Sequence, residues 1–134
     1  MYALNRGYAQ YREQSVMTAS PAELVVMLYD SCLRQIRLAG YAMENNKTED
    51  AHQALIKAED VLTELMRSLD FQYQIANDLY QLYEYIYYEL VKANAHKDPV
   101  LLGPVEELLQ GLRGAWQEAG HQNRLSAAAN GDVL

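Results

Sequence analysis

Ser20-Pro21-Ala22-Glu23-Leu24-Val25-Val26-Met27-Leu28 is the stretch whose reading decides the fold. A hydroxyl at N-cap, proline at N1 and glutamate at N3 form a capping box, with the proline where its missing N–H costs nothing. From that start Val25, Leu28, Cys32, Ile36, Ala39 and Met43 recur at spacings of three and four. They make one continuous apolar stripe, so a helix is expected from Pro21 to about Asn45 with that stripe on a core.

The same signals repeat downstream. Asn45-Asn46-Lys47-Thr48 is a polar break, after which Thr48 is expected to cap a second helix whose first turn carries Glu49 and Asp50. That helix should run to about Leu69, with Leu55, Ala58, Leu62, Leu65 and Leu69 in heptad spacing, as for antiparallel bundle neighbours. A third helix is expected from about Tyr73 to Ala95, with the stripe Ile75, Leu79, Leu82, Ile86 and Leu90. Ala76, Tyr80, Tyr83, Tyr87 and Val91 widen that stripe on one side, to nearly half the circumference, and only Tyr85 and Tyr88 fall well outside it. Gly103-Pro104 would break a helix begun at Asp98-Pro99, so the fourth helix is expected from Pro104 to about Ala119. Val105, Leu108, Leu109, Leu112, Ala115, Trp116 and Ala119 form its stripe, and Gly120 is its expected C-cap.

Short connections between four amphipathic segments predict an all-α, antiparallel up-down-up-down four-helix bundle over residues 18–120. Residues 1–17 carry Tyr2, Leu4, Tyr8, Tyr11, Val16 and Met17, apolar enough to dock, yet Gly7 is a poor helix interior; they are expected to form an N-terminal cap or lid. Residues 121–134 are polar and rich in small side chains, and a disordered tail is expected there.

Composition narrows the function. With 11 basic against 18 acidic residues the net charge is -7, and no basic face gathers to neutralise phosphates, which argues against nucleic acid. No apolar run is long enough for membrane insertion and no signal peptide opens the chain, so a cytosolic location is expected. The single cysteine, Cys32, reads as a small buried hydrophobe. Glu49 with His52 and Glu118 with His121 match a Glu-x-x-His pair, but they sit near opposite ends of parallel-running helices, so no metal site and no cofactor are expected. Acidic pairs such as Glu59-Asp60 and Glu106-Glu107 read as solvated faces. No nucleophile or phosphate-loop motif is present and no catalysis is expected.

What remains is surplus apolar surface. Eleven tyrosines accompany one Phe and one Trp, and Tyr80, Tyr83 and Tyr87 suit a groove for another protein's helix, with Leu62, Leu108, Leu112 and Trp116 as walls. The competing reading is a structural or regulatory bundle that self-associates through the tyrosine face as a homodimer.

The run Val16-Met17-Thr18-Ala19-Ser20-Pro21-Ala22-Glu23-Leu24, continued by Met27-Leu28-Tyr29-Asp30, resembles the start of helix 1 in FliS-type flagellar secretion chaperones. Leu82-Tyr83-Glu84-Tyr85 through Leu90-Val91-Lys92-Ala93-Asn94 is similar to the family's third helix, and Leu112-Arg113 with Ala115-Trp116 to its last. The chain departs at the second corner, where Phe71-Gln72-Tyr73-Gln74 replaces the Gly-Gly pair of many members. The resemblance implies a non-catalytic cytosolic bundle that binds the disordered C-terminal segment of flagellin, one to one. It also implies that the complex prevents premature polymerisation and reaches the flagellar export gate, with Tyr8, Tyr11, Val16 and Met17 in a segment that caps the free chaperone.

Overall fold

A computed structural model describes residues 20–129, with side-chain surroundings through residue 122. Among the described residues there are four α-helices: α1 (Pro21–Glu44), α2 (Thr48–Arg67), α3 (Gln74–His96) and α4 (Leu102–Ala129). No strand occurs among the described residues. Each helix packs on its sequence neighbour and α4 returns to α1, closing an antiparallel up-down-up-down bundle. α1 has the tightest interfaces, with α2 and α4, and the α3–α4 interface is the sparsest. The Tyr8, Tyr11, Val16 and Met17 cap lies outside the described residues.

The first helix starts as its sequence demands. Ser20 accepts from Glu23 N–H at 3.2 Å, and Pro21 follows it. Tyr29, Cys32, Leu33, Ile36, Ala39, Ala42 and Met43 are buried on α1, against Leu55, Ala58, Leu62 and Leu65 of α2. Burying a leucine side chain contributes about 1.5–3 kcal/mol, so this seam alone carries much of the stability. The Cys32 thiol donates to the Ala58 carbonyl at 3.7 Å and is fully buried.

Two of the three corners need left-handed residues and find them without glycine. Asn46 (φ 58°) ends α1, with Lys47 N–H bonded to Ala42 O at 2.8 Å, and Lys97 (φ 50°) ends α3. Asparagine tolerates that region because its short polar side chain bonds locally. The cap of α2 is therefore Lys47, with no side-chain bond, and Thr48 is instead the first helical residue. At the α2–α3 corner Asp70 Oδ1 accepts from Gln72 N–H at 3.0 Å, and Asp70 O from Tyr73 N–H at 3.1 Å. This turn is made by a side chain and contains no glycine.

The last helix departs most from expectation. Asp98 caps a short 3-10 turn, Pro99–Leu101, and α4 follows at once, so Pro104 lies in a first turn whose N–H groups lack helical partners anyway. At the other end α4 does not stop near Ala119. Gly120 keeps helical backbone angles, and residues 121–129 continue the helix rather than forming a tail. Glycine ends a helix only where the chain turns left-handed, and Arg124-Leu125 and Ala127-Ala128-Ala129 favour continuing. Gly120 instead admits close approach: a Cβ there would sit 3.1 Å from the Cβ of Ala22. The packing face turns with it, onto Trp116 and Gly120, leaving Ala115 and Ala119 exposed. Ile75, expected in the α3 stripe, is likewise 63% exposed, and Glu59, expected in solvent, is buried.

Two outcomes follow. A Cβ on Gly114 meets nothing within 4 Å, so Gly114→Ala should add about 0.5–1 kcal/mol by helix propensity, whereas Gly120→Ala should gain nothing; urea unfolding distinguishes them. Burial pushes the Cys32 thiol from 9.0 up to about 12. The folded state keeps this proton through a window where the unfolded chain releases it, so stability falls as pH rises from 9.0 toward 12. Cys32→Ala should remove that part of the alkaline slope in denaturation curves taken across this range.

Candidate functional site

The rotation of α3 about its own axis decides what each flank offers. Tyr83 is 1% exposed and Tyr29, from the diagonally opposite α1, is fully buried. Their hydroxyls meet at 2.5 Å, with ring centroids 6.3 Å apart. Burial raises the pKa of both phenols, while the indole N–H of Trp116 acts on both in the opposite direction, as a donor favouring the phenolate.

With Tyr83 turned inward, the other expected groove residues separate. Leu62 is fully buried in the core, while Tyr83, though almost wholly buried, still reaches the wall of a hollow that Trp116 also lines. Tyr80, 38% exposed, meets Phe71 edge-on at 6.0 Å, and half-buried Tyr87 meets Tyr88 at 6.2 Å. Both stand on the flank of α3 toward α2, the side on which Asn94 bonds His52 of α2. Leu108, Leu112 and Trp116 stand on the other side, along α4. One expected groove is thus two surfaces on opposite flanks of α3.

The larger hollow lies between α3 and α4 and holds about 520 Å³. Val105, Leu108 and Leu112 form its apolar wall, Tyr85 faces them from α3, Gly111 leaves it open, and Glu89 and Glu107 border it. Tyr85 was expected well outside the apolar sector of this helix. Its place is explained by Leu82 and Glu89, which share its flank of the helical wheel and bracket the approach to α4. Gly111 is the second residue that stripe reasoning passes over: a Cβ there meets nothing within 4 Å, so the hollow is deeper than side-chain polarity suggests.

Trp116 closes the far end. It lines one hollow of about 320 Å³ with Val25, Leu69, Ile75 and Leu79, and another of about 250 Å³ with Ala22, Val26, Met27 and Gly120. Both open at the end of the bundle where α1 begins. The α1–α4 side is clasped instead, by Arg37 with Glu106 at 2.6 Å and by a two-pronged contact of Arg113 with Asp30. Among the described residues no salt bridge links α3 to α4, so the trough stays uncrossed.

The chemistry of the trough suits binding. Apolar walls, a tyrosine and an acidic border can hold a helix or an extended segment, but they supply no nucleophile beside a base. Among the described residues no three potential ligands gather for a metal, and no helix is long and apolar enough to cross a membrane.

The fold is thus a four-helix bundle with an open apolar trough between α3 and α4. Residues 4–123 match the family described as flagellar protein FliS, and the chain belongs to that family. It is 36% identical to the flagellar secretion chaperone FliS of Bacillus subtilis, over 98% of each chain. It is 33% identical to that of Escherichia coli, over 89% of this chain and 92% of the other. A crystal structure of a flagellar chaperone from bacteria shares the fold, with a TM-score of 0.73 at 19% identity, covering 87% of this chain and 97% of that one.

The tyrosine pair is open to test. Tyr83→Phe leaves the Tyr29 hydroxyl buried with less to bond, and should cost about 1–3 kcal/mol in chemical denaturation. Tyr29→Phe with Tyr83→Phe together should cost less than the sum of the single changes, because one lost bond is then counted once.

Proposed function

We propose that this chain is a non-catalytic cytosolic export chaperone that holds the disordered C-terminal segment of flagellin, one to one, in the α3–α4 trough. The observation that carries the reading is an apolar trough of about 520 Å³, uncrossed by any ion pair among the described residues, in a chain of the FliS family. Tyr85, Leu108 and Leu112 are its contact residues, and Trp116 continues the surface to the end of the bundle. Held there, the flagellin segment cannot polymerise prematurely, and the complex is carried to the export gate of the flagellar secretion apparatus.

Such a client must be held and then given up. Ordering a disordered segment subtracts about 2–5 kcal/mol from its gross contact energy, so a large surface yields only moderate affinity. A lid made of residues 1–17, through Tyr8, Tyr11, Val16 and Met17, subtracts more when it must first be displaced. Its attachment supports this role, since residue 20 stands at the end of the bundle where the Trp116 hollows open.

Calorimetry with a flagellin C-terminal peptide tests both points. Gly111→Leu adds bulk to the trough from an exposed helix position where a Cβ meets nothing within 4 Å, so it should weaken binding about tenfold or more while Gly114→Ala leaves it unchanged. Equal binding by both variants would place the client elsewhere, and a chaperone-free dimer unaffected by peptide in light scattering would favour self-association. Deleting residues 1–17 should leave affinity unchanged or tighten it; severe weakening makes those residues part of the site instead.

A further inference from the structure

Three side chains lock the end of α3 to the start of α2. The Lys97 ammonium donates to Asn94 Oδ1 at 2.6 Å and to the Asn94 backbone carbonyl at 2.7 Å, and Asn94 Nδ2 lies 2.9 Å from His52 Nδ1. His52 stands in the second turn of α2 and Asn94 in the last turn of α3, and all three residues are half-buried. Lys97 is the left-handed residue (φ 50°) that ends α3, and its N–H and that of Asp98 both bond the Ala93 carbonyl.

Chemistry fixes the direction of these bonds. An ammonium only donates, so the Asn94 amide must present its oxygen to Lys97 and its NH2 to the imidazole. That NH2 group only donates in turn, so His52 Nδ1 must accept, and the neutral ring carries its proton on Nε2. A second proton, on Nδ1, would set donor against donor. If the amide turned over to serve it, the NH2 group would face the ammonium instead, so one contact is lost either way.

We infer that His52, Asn94 and Lys97 form a proton-sensitive clasp, closed while His52 is neutral and released when His52 takes up a proton, so that acid loosens the turn leading from α3 into α4. Histidine is the side chain whose charge changes between about pH 5 and 8. The charged groups around the ring are Glu49 and Glu59 of α2, about one turn before it and two turns beyond, and Lys97, with His96 and Asp98 as its chain neighbours. Glu49 is bonded by Gln53 Nε2 at 2.9 Å and Asp98 by Val100 N–H at 3.0 Å. Burial and Asp60 raise the pKa of Glu59 and His52 opposes them, so protonation of Glu59 firms the fold as pH falls, with the opposite sign to the clasp. The turn that the clasp steadies runs through Pro99–Leu101 to Pro104 and Val105, which line the α3–α4 trough. The clasp does not depend on what that trough holds.

The test uses the full-length, isotope-labelled chain and nuclear magnetic resonance. At about pH 8 the ring nitrogen signals should show His52 protonated on Nε2 alone; a proton on Nδ1 overturns the inference. Between about pH 8 and pH 5.5, protection of the Lys97 and Asp98 amides against hydrogen exchange should fall about tenfold. His52→Gln accepts from Asn94 at every pH and should abolish that fall. In Asn94→Asp the carboxylate serves both the ammonium and a charged imidazole, so protection should hold or rise over the same interval. Unchanged protection in the native chain, a fall that persists in His52→Gln and so belongs to His96 or to the whole fold, or an equal fall in Asn94→Asp would each refute the clasp. The tautomer is read on the native chain, so the inference stays refutable even where a variant unfolds.

Discussion

The hydrogen bond between the Tyr29 and Tyr83 hydroxyls is the constraint on which the surfaces depend. It spans the diagonal of the bundle, between helices that otherwise pack only on their neighbours. Aliphatic packing sets a distance between helices but tolerates rotation, whereas a buried hydroxyl pair must meet end to end. Turning α3 about its axis would strand both oxygens. Everything else on α3 then follows from the turn of its wheel: Tyr80, Tyr87 and Val91 toward α2, Tyr85 and Glu89 toward α4.

The same pair explains why α3 and α4 can remain loosely packed. α1 is held to α2 by a dense aliphatic seam and to α4 by two outer ion pairs, and α3 is held through the middle by Tyr83. A trough needs walls that do not collapse onto each other. Here the walls are anchored from behind, which holds the apolar faces of Leu108, Leu112 and Tyr85 apart. Trp116 joins the hydroxyl pair and also lines the end hollows, which connects the anchor to the surface.

Much of this was legible in the residues. The helix start at Pro21, the heptad of α2 and the bundle topology follow from period and capping alone, and the family resemblance agrees with the relatives. The direction of α3's surplus was not legible, because stripe width locates an apolar sector without saying which part of it the core consumes. A tyrosine reads as amphipathic wherever it stands, and only a partner such as Tyr29 makes Tyr83 a core residue. Tyr85 and Gly111 escaped for the opposite reason: a trough is defined by missing side-chain volume, and volume is not a property of one residue. The end of α4 was misjudged at Gly120, where backbone closeness to Ala22, a tertiary fact, outweighs the local signal for a cap.

Glu89 and Glu107 border an otherwise apolar trough, and their consequence reaches beyond any single molecule. An open greasy surface on a small protein is a colloidal hazard, since identical copies can cover it. Two copies meeting trough to trough would press these carboxylates against each other, on chains that already carry a charge of -7. The border therefore sorts visitors by sign at encounter range: self-contact is repelled, segments with basic residues are drawn in, and the contrast fades as ionic strength shortens the reach of both effects.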